Sequence, residues 1–170
     1  LTFRYGSVFY RDEHDEYITR TSDFNLDKNI LLDFIKEQKA KGGGDYEEAV
    51  HEALNEALNQ DWGDNNRASI IFLLNDAPPH GEDNLVVESM QNLTVLAAEK
   101  GIIIIPITAS GTDKSNEFLL RSMAMATNGS YVFITDHSGI GNDHIDPTIG
   151  EYQVEFLNKL LIKLVVENIE

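Results

Sequence analysis

Two carboxylates stand where a metal ion could use them. Asp45 follows the turn Gly42-Gly43-Gly44 and opens the run Tyr46-Glu47-Glu48-Ala49-Val50, while Asp76 closes the apolar run Ile70-Ile71-Phe72-Leu73-Leu74-Asn75. A glycine turn lets backbone and side chain approach a ligand closely, and a buried parallel strand delivers the residue at its carboxyl end to the crevice beyond the sheet. Hard oxygen donors converging there suit Mg²⁺ or Ca²⁺. The pattern points to binding through a metal rather than to catalysis. The chain has no Gly-x-Ser-x-Gly nucleophile turn, and it lacks both a Walker lysine and a Gly-x-Gly-x-x-Gly phosphate loop.

Each candidate also has a structural alternative. Asp45 precedes Glu48 by three residues, which is capping-box spacing, and such a cap stabilises a helix by roughly 1 kcal/mol without any ligand. Asp76, directly after a buried run, would need hydrogen-bond partners of its own if no metal took it up. Asn75 is expected to fix the loop, and it counts with His80, His137 and His144 among the residues of the ligand face. These three histidines and His14 fall in loops that the expected topology gathers at one end of the sheet. Imidazole with carboxylate suits zinc, yet the spacing follows no zinc pattern. The alternative for residues 136–146 is a loop ordered by side chain to backbone bonds from Asp136, Asp143 and Asp146. His51 falls on a helix and is expected at the surface. Asp12, Glu13, Asp15 and Glu16 could steer a cation or a basic partner, or simply form a solvated turn.

The elements that must position these residues are legible from apolar spacing. Leu1 to Tyr10 reads as a strand, residues 11–16 as a hairpin turn, and Tyr17-Ile18-Thr19-Arg20-Thr21 as the returning edge strand. Asp27 can cap a helix with Ile30, Leu31, Phe34 and Ile35 on one face, ending at Gly42. A second helix carries Ala49, Val50, Ala53, Leu54, Ala57 and Leu58. Strands at Ser69 to Leu74, Ile102 to Thr108 and Tyr131 to Thr135 then alternate with helices at Leu85 to Lys100 and Asn116 to Thr127. Tyr152, Phe156, Leu157, Leu160, Leu161 and Leu164 mark a closing helix. Continuous apolar runs indicate parallel strands covered on both faces. The expected fold is α/β: a Rossmann-like, doubly wound, mostly parallel sheet with one antiparallel edge strand and helices on both faces.

Composition limits the partners. With 170 residues and 42% apolar content the chain can bury a sizeable core as one domain. Thirteen basic against 29 acidic residues give a formal charge of −16, which repels nucleic acid and anionic membranes and attracts cations and basic partners. Nucleic acid is not an expected ligand, and no apolar run is long enough for membrane insertion. No cysteine is present, so thiolate zinc sites, disulfides and a cysteine nucleophile are excluded. The chain starts at Leu1 and is expected to be part of a longer or processed polypeptide.

The hairpin followed by Gly42-Gly43-Gly44-Asp45, the strand ending in Asn75-Asp76-Ala77-Pro78-Pro79-His80, and the strand Ile102 to Ile107 resemble a von Willebrand factor type A (VWA) domain. The resemblance spans nearly the whole chain. It is closest to the subgroup whose second metal loop reads Gly-Gly-Gly-Asp-x-x-Glu-Ala-Val, with aspartate in the region where integrin-type members carry a metal-binding threonine. It implies an open sheet of order 3-2-1-4-5-6 and a divalent metal, usually Mg²⁺, at the carboxyl ends of the strands. A carboxylate from a protein partner would complete the coordination.

The chain departs from that pattern in one large respect. The Asp-x-Ser-x-Ser motif that ends the central strand of such domains is absent. Asp113-Lys114-Ser115 and Asp136-His137-Ser138 match only its first half and follow other strands. Residues 1–170 are therefore expected to form a single VWA-like domain lacking its usual first strand and helix. The metal site, with Asp45 and Asp76 from this chain, would be incomplete and could be empty of metal. The neighbours of the missing strand would expose unpaired ladder groups, which is costly. The strand is expected on a longer or nicked chain, the alternative being a sheet that has closed the gap.

The functional expectation is a metal-ion-dependent, adhesion-type protein-binding module without catalysis, using Mg²⁺ or Ca²⁺ and a protein partner that presents a carboxylate or a basic patch. One alternative is a metal-dependent hydrolase or phosphatase with His80 or His137 as general base. Another is a structural domain with a degenerate metal site. An extracellular, bacterial-surface or periplasmic setting is expected over the cytoplasm.

Overall fold

The structure is a computed structural model that describes residues 1–42, 45–64, 67–109, 112–134 and 155–169. The fold is α/β. In chain order the elements are β1 (Tyr5–Tyr10), β2 (Thr19–Asn25), α1 (Lys28–Glu37), α2 (Val50–Leu58), β3 (Ser69–Asn75), α3 (Asn84–Glu99), β4 (Ile102–Thr108), α4 (Lys114–Ala126), β5 (Val132–Phe133) and α5 (Leu157–Glu167). They form two compact units: residues 1–64 with 79–93, and residues 65–78 with 94–170.

The first unit is built on the hairpin. β1 and β2 pair antiparallel, from Tyr10 opposite Thr19 to Tyr5 opposite Asn25, with an irregularity between Tyr5 and Ser7. Two helices pack on this ribbon because their apolar positions recur every three to four residues. α2 buries Val50, Ala53, Leu54 and Leu58. α1 buries no residue completely, and its Phe34 meets Phe9 of β1 edge-on at 5.9 Å. Asp27 caps α1 through the Asn29 N–H. The helix stops at Glu37, five residues short of Gly42, where Gln38 turns extended and its N–H bonds the Ile35 carbonyl. The first part of α3 adds Val86, Met90 and Leu93 to the buried set of this unit.

The second unit holds the parallel sheet in the order β3-β4-β5. β3 and β4 are in continuous register from Ser69 opposite Ile102 to Asn75 opposite Thr108. β5 pairs only with Ile107 and Thr108, the two residues beyond Pro106, whose missing N–H cannot donate to a ladder. Ile105, Ile107, Val132 and Leu164 form the core here, with Phe72, Ile103 and Leu161 packed against them. Gly129 makes the turn into β5 fit, since a Cβ there would collide with the Ile104 carbonyl. Asp113 caps α4 by accepting from the Asn116 N–H.

The hairpin and the parallel strands make separate ladders, so β1 has β2 as its neighbour and β3 has β4. No helix among the described residues is long and apolar enough to cross a membrane.

Candidate metal centre

Three side chains of the first unit form a group that could hold a metal ion. One ligand atom each from Asp45, Glu47 and His80 lies within 4.8 Å of the others. No other group of three or more such residues is present among the described residues. Asp45 and Glu47 come from the segment between α1 and α2, where positions two apart in non-helical backbone present side chains to one side. His80 follows Pro78-Pro79 in the segment between β3 and α3, and its carbonyl accepts from the Asp83 N–H.

The hairpin turn supplies a further carboxylate. Asp12 sits just beyond β1 and is 9% exposed, and its Oδ1 lies 2.7 Å from His80 Nε2. The other imidazole nitrogen, Nδ1, is 3.2 Å from Glu82 Oε1. Arg11 anchors the turn: its guanidinium donates to the Lys39 carbonyl at 2.7 Å, lies over the Tyr17 ring and reaches Glu16. The turn is thereby tied to the segment leading to Asp45. Gly42 serves the same junction, with φ +112° and the Asp15 carboxylate where a side chain would begin.

These contacts shift the titration of both side chains. For Asp12, burial works to raise the pKa, but hydrogen bonds from His80 and the Glu13 backbone, with the charge of His80, outweigh it and hold the carboxyl below its ordinary value. For His80, the Asp12 hydrogen bond raises the pKa, burial opposes it, and Glu82 adds to the rise. Each ring nitrogen thus faces a carboxylate oxygen, an arrangement that favours the protonated imidazole.

The donor set fits a divalent cation. Two carboxylates and an imidazole provide oxygen and nitrogen ligands, and among the described residues no lysine or arginine pairs with Asp12, Asp45 or Glu47. Three protein donors leave positions open for water or another ligand.

The structure sorts the sequence candidates. Asp45 is in the group, and the capping-box alternative is not realised: α2 starts at Val50, and its N-cap, Ala49, makes no side-chain bond. Asp76 is solvent-exposed at the end of β3 and is not in the group, so its carboxylate is hydrated and needs no protein partner. Asn75 fixes its loop, as expected: its side-chain N–H donates to the Ala77 carbonyl at 2.6 Å, and its Oδ1 accepts from Asn116 at 2.7 Å. His80 joins the group, whereas His14 is exposed in the hairpin turn. His137, His144, Asp136, Asp143 and Asp146 lie outside the described residues.

Two expectations are corrected. His51 is buried on the inner side of α2 rather than at the surface, because it shares the first turn with Val50 and Leu54. Asp12 is not part of a solvated turn, because its carboxylate is engaged by His80. Sequence reasoning passes over Glu47 and Glu82. The Asp-x-Glu spacing after the glycines and the His-x-Glu spacing after Pro78-Pro79 are the available signals.

No family model matches the chain. A protein of Acanthamoeba polyphaga mimivirus, named as an ariadne-like RING finger protein, is 39% identical over 77 residues, covering 45% of this chain and 7% of that protein. The match thus spans a small fraction of that protein's length. The chain has no cysteine, so the thiolate zinc chemistry of a RING does not come with the match.

Proposed function

We propose that this chain is a metal-dependent protein-binding module of the von Willebrand A type, in which a divalent cation on the first unit receives an acidic side chain of a partner. The observation that carries this reading is the convergence of Asp45, Glu47 and His80. Three protein donors hold an ion while leaving positions that a partner's carboxylate can fill. The formal charge of −16 concentrates cations near the chain. It also disfavours an acidic partner unless the ion intervenes, which makes binding conditional on metal.

The extracellular or bacterial-surface setting stays part of the proposal through the resemblance to adhesion modules.

The test is panning of the immobilised chain against displayed peptides, with elution by EDTA. Peptides rich in Asp or Glu that leave with EDTA, and that are not retained by an Asp45→Ala variant, are the expected outcome. Retention indifferent to EDTA would overturn the reading. Turnover of generic phosphoesters in the presence of Mn²⁺ would favour a hydrolase instead.

A further inference from the structure

We propose that Asp12 is a fourth donor of this site, and that Asp12, Asp45, Glu47 and His80 together select a first-row transition dication, zinc above all, over Mg²⁺ and Ca²⁺. The inference rests on the metal reading above and specifies the ion, which would take a partner's carboxylate as a fifth ligand or in exchange for Asp12. Asp12 is not one of the three residues whose ligand atoms all lie within 4.8 Å of one another, but it touches one of them, and that spacing is the first support. Asp12 Oδ1 and His80 Nε2 are 2.7 Å apart. Two donors on one tetrahedral zinc ion, each about 2.0 to 2.1 Å from it, stand roughly 3.3 Å from each other. Moving the two groups apart by about 0.6 Å converts the hydrogen bond into shared coordination, with the ion in place of the Nε2 proton.

Burial gives the second support. The side chains of Asp12 and His80 are 13% and 17% exposed. In the metal-free chain the His80 imidazole is the charge partner of this carboxylate, and an ion shared by the two side chains would take over that role. The described residues offer Asp12 no lysine or arginine. Arg11, next in sequence, turns its guanidinium to the Lys39 carbonyl and Tyr17.

Ligand chemistry selects the metal. Mg²⁺ and Ca²⁺ take oxygen ligands, whereas an imidazole among the donors suits zinc and its neighbours; affinity at such sites rises from Mn²⁺ to Cu²⁺ and falls back at Zn²⁺, so zinc is favoured by geometry and availability rather than by affinity alone. Glu82 completes the arrangement from outside. Its Oε1 is 3.2 Å from Nδ1, placed to accept that N–H and hold the ring while Nε2 faces the ion, the carboxylate–histidine–metal relay of many zinc sites. Glu82 is exposed, so it is a weaker support than Asp12.

Isothermal titration of the EDTA-stripped 170-residue chain with Zn²⁺, Mn²⁺ and Mg²⁺ tests this, with Asp12→Asn and Glu47→Gln as variants and circular dichroism to confirm folding. The expected result is Zn²⁺ binding tighter than Mg²⁺ by about tenfold or more, and a loss of roughly 10- to 100-fold in Zn²⁺ affinity in either folded variant. Mg²⁺ binding as tightly as Zn²⁺ would overturn the choice of ion and leave the metal-binding module standing. Unchanged Zn²⁺ affinity in Asp12→Asn would remove Asp12 from the site, and Glu47→Gln reads out the same site if Asp12→Asn does not fold. Failure of every ion to bind would sink the metal reading beneath it.

Discussion

His80 Nε2 lies 2.7 Å from Oδ1 of Asp12, a residue 68 positions earlier in the chain. This one bond joins the hairpin turn to the segment before α3 within the first unit, and it gives the metal-free protein a defined dependence on pH. The His80 pKa is raised above its ordinary 6.5, so its contribution to stability is fully present below about pH 6.5 and is lost as pH rises through the folded value. The Asp12 pKa is lowered below its ordinary 3.8, so its contribution is fully present above about pH 3.8 and is lost as pH falls through the folded value. In EDTA the melting temperature of the wild type should exceed that of Asp12→Asn most between those two values, and the difference should shrink on either side. A difference constant from about pH 3 to 9 would contradict the pairing.

Gly42 should resist substitution. Its φ of +112° disfavours any residue with a Cβ, and the Asp15 carboxylate fills the space a side chain would need. Gly42→Ala is expected to destabilise the chain by about 1 kcal/mol or more. Urea denaturation reads the change, and an unaltered midpoint would show that this junction yields freely.

Gly129 tests the second unit in the same way. A Cβ at that position meets the Ile104 carbonyl rather than a flexible side chain, so β4 or the turn into β5 must move. Gly129→Ala should cost about 1 to 3 kcal/mol, in the range of overpacked cores, with no loss of metal affinity, because Asp45, Glu47 and His80 belong to the other unit. Reduced metal binding in a folded Gly129→Ala protein would contradict that independence.

Asp45 and Asp76 separate the geometry of the site from the family resemblance. The group in the structure contains Asp45 and not Asp76, whereas the resemblance implies both. Asp45→Ala should lower metal affinity at least about tenfold, a loss of roughly 1.4 kcal/mol, and Asp76→Ala should leave it unchanged. Calorimetric titration of the two variants decides, and the opposite ranking would return the site to the end of β3.

The fold is legible wherever one rule dominates locally. The β-branched, apolar run Ile102 to Ile107, ending at Thr108, reads as a buried strand, and it is β4 to the residue. The Asp27 cap and the stripe of Ala49 to Leu58 likewise locate α1 and α2. Long-range pairings are harder to read. Nothing within the run Asp12 to Glu16 distinguishes the one carboxylate that turns inward towards His80 from those that stay in water. That depends on where Arg11 sends its guanidinium. Asp45 is found through its glycines, but Glu47 is hidden because a Glu near a predicted helix start reads as a cap. The exposure of Asp76 is not legible either, because a carboxylate after a buried strand is expected to be buried with it, and here it stands in solvent between buried Asn75 and Ala77.

X-ray absorption at the zinc edge, on the chain loaded with one equivalent of Zn²⁺, reads whether His80 and the carboxylates hold the ion. Oxygen and nitrogen ligands about 2.0 to 2.2 Å from the ion are expected, with outer-shell scattering from a single imidazole that disappears in His80→Ala. A spectrum of fully hydrated zinc, or imidazole scattering that persists in His80→Ala, would contradict this assignment.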